Sequence, residues 1–331
     1  MTVRHTSPQP VPAEEPIMTL LYTDPLFLKH ETGRHPETAA RLRSVTARLG
    51  KAGLLKKCAA GTYKPLTEEV VGRLHDPKLV VAVKQLAAHG GGRINPDTVV
   101  SPDSHQVALA AAGACVAAVD AVLKGDDRTA LCLVRPPGHH ATPTRAMGFC
   151  LFNNVALAAA HAKRQHKLTR VLLIDWDVHH GNGTQDIFYE DPEVMFYSIH
   201  RYGQGFYPGT GAAEETGKGK GLGYTLNVPV KFGTPRKEYH DLFTKALEKA
   251  AEQIKPELML LSAGFDAHAK DPIGSLGLET EDFPTLTRRV LEVAKAHARG
   301  RLVSCLEGGY NVETLAECVQ VHLEELLAFQ G

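Results

Sequence analysis

The chain has 331 residues, of which 43% are hydrophobic and 22% charged, and its 37 basic and 37 acidic side chains leave a formal net charge of zero. This length allows one large α/β domain or two smaller ones, and the hydrophobic fraction is ample for a sizeable core. The balanced charge argues against direct nucleic-acid binding and against an anchor on an anionic membrane. No apolar segment is expected to be long enough to span a bilayer.

Cysteine usage and the N-terminal composition indicate the compartment. The six cysteines form no C-x-x-C pair, and Cys115, Cys132 and Cys305 lie in apolar runs. We therefore expect reduced, buried thiols and a cytoplasmic protein. Residues 1–18 are proline-rich and lack the apolar stretch of a secretory signal, so a flexible tail is expected there. Residues 19–331 are expected to form one domain, and the sequence leaves a homo-oligomer open.

Short apolar strands alternate with helices along the chain. Strands are predicted at residues 19–22, 130–134, 171–174, 195–199, 258–262 and 302–306. Helices are predicted at 36–49, in two pieces over 67–89, at 106–123, 154–166, 237–254 and 281–298, and at the C-terminus. The glycine-rich and polar stretch from 90 to 104 is expected to be a loop. This alternation predicts an α/β domain with a central, mostly parallel sheet that helices cover on both faces.

The most informative stretch is residues 171–184, which read V-L-L-I-D-W-D-V-H-H-G-N-G-T. Side chains alternate along an extended strand, so Asp175, Asp177 and His179 should point the same way. Ligands of α/β proteins gather beyond the carboxyl ends of parallel strands, and carboxylate oxygen and imidazole nitrogen are donors that zinc accepts. An ion-paired surface rim is the alternative, but it leaves carboxylates directly after a buried run, where an unpaired charge is costly.

Polar motifs follow three other predicted strands. Residues 135–141 read R-P-P-G-H-H-A and carry His139 and His140, residues 263–268 read A-G-F-D-A-H and carry Asp266, and residues 307–311 read E-G-G-Y-N and carry Tyr310. A lone buried histidine is usually structural, but a second histidine pair at a second strand end favours a functional interpretation.

Together these side chains match the needs of amide hydrolysis. Asp177, His179 and Asp266 supply three protein ligands, and a catalytic zinc keeps its fourth position for water. Zinc lowers the pKa of that water to about 7, and the histidine pair can supply a general base. The phenol of Tyr310 is neutral at pH 7 and can donate a hydrogen bond to a developing oxyanion.

These four motifs resemble the zinc-dependent histone deacetylase family, whose arginase/deacetylase fold has a mostly parallel sheet of about eight strands. The resemblance runs from about Leu20 to the C-terminus. The segment H-P-E-T-A-A-R-L is similar to the class II branch and to bacterial histone deacetylase-like amidohydrolases, a group that includes acetylpolyamine amidohydrolases. The resemblance implies hydrolysis of an N-acetylated amine such as ε-acetyl-lysine, with acetate as product.

The resemblance also implies a role for each motif residue. It implies one Zn²⁺ per subunit, bound by Asp177, His179 and Asp266. His140 would be the general base and His139 its electrostatic companion on the oxyanion side. Asp175 would orient His139, and Asn182, where class I members have aspartate, would form a hydrogen bond with His140. Tyr310 would stabilise the transition state.

The same resemblance implies a substrate tunnel and structural monovalent cations, K⁺ or Na⁺. The tunnel walls would be Gly148 and Phe149, with Phe206 or Tyr207 opposite. Arg41 would lie at the foot of the tunnel, although with Glu37 it also fits an ordinary i,i+4 pair on a helix surface. One cation would lie near Asp175, Asp177, His179, Ser198 and Ile199, and another near Phe188, Asp191, Val194 and Tyr224.

The substrate is left open between acetylated lysine and acetylated polyamine. Polyamine-selective members have glutamate where this chain has Ile273, so an acetyl-lysine enzyme is favoured. Asp97 and Asp103 lie in the expected rim loop and keep the polyamine alternative open. A catalytically silent acyl-lysine-binding module is disfavoured because every catalytic residue type is present. A two-metal ureohydrolase is excluded because position 181 is glycine where such a site needs aspartate.

Overall fold

A computed structural model describes residues 19–125 and 128–330, so the expected N-terminal tail lies outside the described residues. Its strands, in chain order, are β1 (Leu20–Tyr22), β2 (Ala59–Ala60), β3 (Gly92–Asn95), β4 (Thr98–Val100), β5 (Thr129–Cys132), β6 (Val171–Asp175), β7 (Val194–Arg201), β8 (Thr225–Val230), β9 (Leu258–Ala263) and β10 (Leu302–Leu306). All but β3 and β4 form one sheet of eight strands in the order β2-β1-β5-β10-β9-β6-β7-β8. Every pairing in this sheet is parallel.

The helices cover this sheet on both faces, as predicted. They are α1 (Ala39–Lys51), α2 (Glu68–Val71), α3 (Pro77–Ala88), α4 (Ser104–Lys124), α5 (Asn154–His166), α6 (Asn182–Phe188), α7 (Arg236–Ile254), α8 (Asp282–His297) and α9 (Val312–Ala328). Helices α4 and α5 pack together against the central strands. Helix α7 packs on β6, β7 and β8, and the layer continues through α8 and α9 to α1. The predicted fold class is thus confirmed.

The central strands are apolar because helices cover both of their faces. Every residue of β5, β6, β9 and β10 is buried. Strands buried on both sides read as continuous apolar runs, which is why these four were recognisable in the sequence. These four strands are also neighbours in the sheet, so the loops that follow them meet at one carboxyl edge.

The structure corrects three expectations about local structure. The segment predicted as a loop at 90–104 contains an antiparallel hairpin of β3 and β4. The edge strands β2 and β8 were not predicted; β2 has two residues, and β8 contains Pro229, which is typical of an edge strand.

Helix α4 also corrects the expectation about membrane-spanning segments. Among the described residues, α4 is long enough and apolar enough to cross a membrane, judged by length and composition alone. Within its apolar window, 67% of the residues are buried inside the protein. Packing against α5, β5 and β10 accounts for this apolar composition.

The cysteines in apolar runs are buried and unbridged, as expected. Cys115, Cys132 and Cys305 are all fully buried, and the Sγ atoms of Cys115 and Cys305 lie 3.3 Å apart. The cytoplasmic compartment and the homo-oligomer stay predictions.

Candidate active site

The four sequence motifs come together at the carboxyl edge of the sheet. They follow β5, β10, β9 and β6, which lie side by side. The loop after β5 carries the histidine pair, and the loop after β6 carries the D-W-D-V-H-H stretch. The loops after β9 and β10 carry Asp266 and Tyr310. The parallel topology alone therefore explains how residues more than a hundred positions apart share one site.

Asp177, His179 and Asp266 converge as predicted. Nδ1 of His179 lies 3.1 Å from Oδ1 of Asp177 and 3.1 Å from Oδ2 of Asp266. Both carboxylates are fully buried, and each accepts a backbone N–H: Asp177 Oδ2 from Gly308 at 2.8 Å and Asp266 Oδ1 from Val178 at 2.9 Å. The main chain thus fixes the two carboxylates in place.

Glycines make room for these carboxylates. A Cβ added at Gly264 would lie 2.0 Å from Oδ2 of Asp177, and one at Gly308 would lie 2.2 Å from Oδ2 of Asp266. At Gly181 the added Cβ would lie 2.1 Å from Oδ2 of Asp175. Position 181 therefore has no space for the additional aspartate of a two-metal site.

The donor set and its charge fit a bound divalent cation. Burial, followed by the neighbouring charge of Asp177, raises the pKa of Asp266 to about 7. For His179 burial opposes protonation, but the two carboxylates outweigh it and raise its pKa to about 9. Two buried carboxylates beside a single imidazole leave negative charge that a bound cation would balance. Two carboxylate oxygens and one imidazole nitrogen are also donor atoms that zinc accepts.

The adjacent histidines His139 and His140 have different partners. Nδ1 of His139 donates to Oδ2 of Asp175 at 3.0 Å, and Nδ1 of His140 donates to Oδ1 of Asn182 at 2.7 Å. The two ring centroids are 4.0 Å apart. The structure thus pairs His139 with Asp175 and His140 with Asn182, and the catalytic roles of these residues stay predictions.

Opposite pKa shifts follow from these partners. Burial alone would lower the pKa of His139, but Asp175 and Asp177 outweigh it and raise this pKa well above its ordinary value. Burial, with the nearby positive charge of His139, lowers the pKa of His140 well below its ordinary value. These opposite shifts favour the protonated form of His139 and the neutral form of His140, whose Nε2 is an acceptor when Nδ1 carries the proton.

Glu307 is a buried residue of the site that the sequence analysis did not assign. Its Oε2 accepts the backbone N–H of Gly138 at 2.7 Å and of His139 at 3.2 Å. Burial raises the pKa of Glu307 to about 7. Its position directly after β10 could have identified it from the sequence, because Asp177 and Asp266 were recognised as carboxylates that follow strands.

Aromatic side chains surround the convergent residues. The ring of Phe206 stacks on His179 with centroids 5.1 Å apart, and that of Tyr207 lies 5.1 Å from His140. Both rings therefore contact histidines of the convergent group, and their role as a tunnel wall stays a prediction. Phe149 meets Tyr310 edge to face at 5.5 Å. A Cβ at Gly148, whose φ is +57°, would lie 2.3 Å from the ring of His140, so this position requires glycine.

Ile273 lies at the outside of this region. Its side chain is 37% exposed, and its backbone N–H donates to Oδ1 of Asp271 at 2.9 Å. The other oxygen of Asp271 accepts the backbone N–H of Tyr310 at 2.7 Å. The segment with Ile273 is therefore tied to the segment with the tyrosine through one carboxylate.

Arg41 is not the surface residue that an i,i+4 pair would suggest. It is fully buried, and its guanidinium donates to the carbonyl oxygens of Glu307 and of Gly309, the latter at 2.6 Å. The guanidinium also lies 5.1 Å from the ring centroid of Tyr310. The surface-pair interpretation is therefore wrong, and Arg41 lies directly behind the tyrosine.

The residues predicted to bind monovalent cations lie on and around β6 and β7. Asp175 and Ser198 are paired across these two strands, and Ile199 is buried on β7. In the second group the amide of Asp191 donates to the carbonyl of Phe188 at 3.0 Å, and the Asp191 carboxylate pairs with Lys163. Val194 is the first residue of β7, and Tyr224 directly precedes β8. Occupation by K⁺ or Na⁺ stays a prediction.

The fold is of the arginase/deacetylase-like α/β class. Residues 35–326 match the histone deacetylase domain model. The chain is 40% identical over 291 residues to a histone deacetylase-like amidohydrolase of Pseudomonas aeruginosa, covering 88% of this chain and 76% of that protein. It is 41% identical over 301 residues to the polyamine deacetylase HDAC10 of Homo sapiens, covering 88% of this chain and 44% of that protein.

A solved structure agrees with these sequence relatives. The HDA15 HD domain superposes with a TM-score of 0.90 at 34% identity, covering 95% of this chain and 89% of that one. The chain belongs to the histone deacetylase family.

Proposed function

We propose that this protein is a zinc-dependent deacetylase that hydrolyses the acetamide of a linear N-acetylated amine, with ε-acetyl-lysine favoured. The observation that carries the proposal is the convergence of Asp177, His179 and Asp266 beside His139 and His140, whose pKa values are shifted in opposite directions. Relatives named as amidohydrolase and deacetylase support the same reaction class.

The protein's own groups divide the proton chemistry between them. Bound zinc would supply Lewis-acid polarisation of the acetamide carbonyl and would lower the pKa of water. Nε2 of His140 removes a proton from the attacking water and later delivers it to the leaving amine. His139, kept protonated by Asp175, places positive charge beside the developing oxyanion.

Tyr310 supplies the remaining hydrogen bond to the oxyanion. Burial raises the pKa of its phenol well above the ordinary value, so the group stays a donor. Phe149 on one side and Phe206 on the other favour an unbranched alkyl chain between them, because neither offers a hydrogen bond to a polar chain.

Acetate release with and without a chelator tests the proposal. Zinc-loaded protein should release acetate from an acetyl-lysine peptide, the chelator should abolish the release, and added zinc should restore it. A silent binding module would bind the peptide and release nothing. If zinc-loaded protein released no acetate from any acetylated lysine or amine tried, the proposed deacetylase activity would be refuted.

An acetylpolyamine substrate is the second candidate, and Asp97 is the observation that favours it. Oδ1 of Asp97 accepts the backbone N–H of Gly148 at 3.2 Å, which places a carboxylate beside the tunnel wall. A polyamine carries a cationic amine beyond its acetylated end, and such a carboxylate would attract it. Ile273 offers that amine no charge, which is why we favour acetyl-lysine.

We predict that Ile273→Glu shifts selectivity toward acetylpolyamine. A partly exposed ion pair contributes about 1 kcal/mol at most, so kcat/KM for N-acetylputrescine should rise roughly fivefold relative to an acetyl-lysine peptide. Competition assays with both substrates measure the ratio. Ile273→Gln is the matched uncharged control and should leave the ratio unchanged; an equal shift in both variants would exclude an electrostatic cause.

A further inference from the structure

A second group of metal-binding side chains lies away from the active site. Asp120 is on α4, and His161 and His166 are on α5. Nε2 of His161 and Nε2 of His166 each lie 2.6 Å from the same oxygen, Oδ1 of Asp120. The two imidazole centroids are 5.8 Å apart. One carboxylate oxygen and two imidazole nitrogens therefore converge on one point between the two helices.

This cluster lies at the opposite edge of the sheet from the catalytic residues. Helix α5 starts next to the active site, where Nδ2 of Asn154 donates to the carbonyl of Pro136 at 3.0 Å. It runs for 13 residues, about 20 Å, and His166 is its last residue. Asp120 is likewise near the C-terminal end of α4, which leads back to the amino end of β5. The cluster is therefore separate from the proposed zinc site.

The end of α5 brings its two histidines together. Positions five apart on a regular helix do not face the same direction. His166 is the final helical residue, and Lys167 after it adopts a left-handed conformation with φ +58° that ends the helix. The terminal turn thus allows the ring of His166 to approach the oxygen that His161 already contacts.

The charge and exposure of the cluster suit a cation with open coordination positions. Among the described residues, the imidazoles are the only basic groups within 4.0 Å of the Asp120 carboxylate. The exposed fraction is 20% for the His161 side chain, 25% for His166 and 34% for Asp120. The cluster is thus shielded enough to be ordered and open enough for water to complete a coordination shell.

We propose that Asp120, His161 and His166 form a second metal site, which binds a divalent transition ion such as Zn²⁺ and joins α4 to α5. Two imidazoles and one carboxylate are borderline ligands of the kind that zinc accepts, with water in the remaining position, and they do not suit Mg²⁺ or Ca²⁺. The alternative is a hydrogen-bonded contact between the helices that needs no ion. This proposal does not depend on the proposed deacetylase function.

Zinc stoichiometry in four versions of the full chain tests the proposal. Each is dialysed against micromolar free Zn²⁺, and metal per chain is measured by elemental analysis. We expect two equivalents in the wild type, one in His161→Gln/His166→Gln, one in Asp177→Asn/Asp266→Asn, and none in the combined variant. His297→Gln removes another partly exposed histidine, which lies 3.6 Å from Glu252, and should keep both equivalents.

A melting experiment gives a second reading that does not depend on activity. In the Asp177→Asn/Asp266→Asn background, Zn²⁺ should raise Tm, and His161→Gln/His166→Gln should abolish that rise. Circular dichroism checks that each variant is folded, and Asp120→Asn repeats the test with an isosteric change. An equal zinc content in the wild type and in His161→Gln/His166→Gln would overturn the second site. An equal zinc content in the wild type and in Asp177→Asn/Asp266→Asn would instead contradict only the zinc site of the proposed function.

Discussion

At the scale of single residues, the function of a side chain in this protein depends on its partners more than on its type. His139 and His140 are adjacent in sequence and both buried, yet Asp175 gives the first a charged acceptor and Asn182 gives the second only a neutral acceptor. An aspartate at position 182 would raise the pKa of His140 and reduce the difference between the rings. The asparagine therefore keeps the pKa values of the two rings apart.

At this scale we predict that Tyr310→Phe lowers turnover by roughly 10²–10³-fold, the usual effect of losing one donor to an oxyanion. The ring and its contact with Phe149 remain, so zinc content should not change. Steady-state kinetics and metal analysis measure the two effects. Tyr63→Phe is a matched control, because that phenol donates to Asp24 at 2.8 Å outside the site. Unchanged turnover in Tyr310→Phe would remove the phenol from the mechanism.

At the scale of elements, a buried charge cluster connects α1 to the active site. Glu37, two residues before α1, accepts from Arg135 at 2.5 and 2.7 Å and from Arg41 at 3.1 Å. All three side chains are fully buried. Burial would raise the pKa of Glu37, but Arg135 and Arg41 outweigh it and lower this pKa to about 2. One carboxylate thus orients the arginine behind Tyr310 and the arginine at the start of the histidine loop.

We predict that Glu37→Gln lowers the free energy of unfolding by about 3–5 kcal/mol, because two guanidiniums lose their buried counter-charge. Denaturant titration measures the loss. Glu69→Gln removes the carboxylate of an exposed i,i+4 pair with Arg73 and should cost less than about 0.5 kcal/mol. Equal losses in the two variants would show that the buried cluster contributes no more than a surface pair.

At the scale of the whole molecule, histidines in the core set the response to acid. Burial lowers the pKa of His322 to about 3, and it lowers the pKa of His75 to about 4. His322 bonds to hydroxyls on two sides, Thr287 at 2.8 Å and Ser304 at 2.9 Å, and both contacts suit a neutral ring. In the unfolded chain these histidines have a pKa near 6.5. Between that pH and the folded pKa of each histidine, the native state therefore binds fewer protons than the unfolded state.

We therefore predict that the stability contributed by His322 and His75 is fully present above about pH 6.5 and falls as the pH decreases toward their folded pKa values. Each such histidine contributes a slope of about 1.4 kcal/mol per pH unit in that window. His322→Gln should remove one such slope between about pH 3 and 6.5, as measured by unfolding at several pH values. His297→Gln at the surface is the control. An unaltered slope in His322→Gln would show that other groups dominate acid unfolding.

The sequence was informative where local pattern and topology agree. The apolar strands β5, β6, β9 and β10 and the polar residues after them were predicted, since a buried parallel strand and its functional end both leave a local signature. The short edge strand β2 and the proline-containing β8 leave a weaker signature and were missed.

Partners that are distant along the chain could not be predicted in the same way. Glu37 and Arg135 are 98 positions apart, and the i,i+4 spacing of Glu37 and Arg41 suggested a surface pair. Glu307 was visible as a strand-end carboxylate, but its bond to the amide of His139 depends on the neighbouring positions of β5 and β10. Such contacts follow from the three-dimensional arrangement of the strands and not from sequence spacing.

The β3–β4 hairpin has a practical consequence for engineering. It shares no strand pairing with the eight-stranded sheet, yet Thr98 accepts the amide of Phe149 at 3.1 Å and Asp97 accepts that of Gly148. The hairpin thus contacts the proposed tunnel wall, while the proposed catalytic groups follow strands of the large sheet. Grafting hairpins from other family members onto this scaffold would diversify the entrance while the catalytic groups stay as they are.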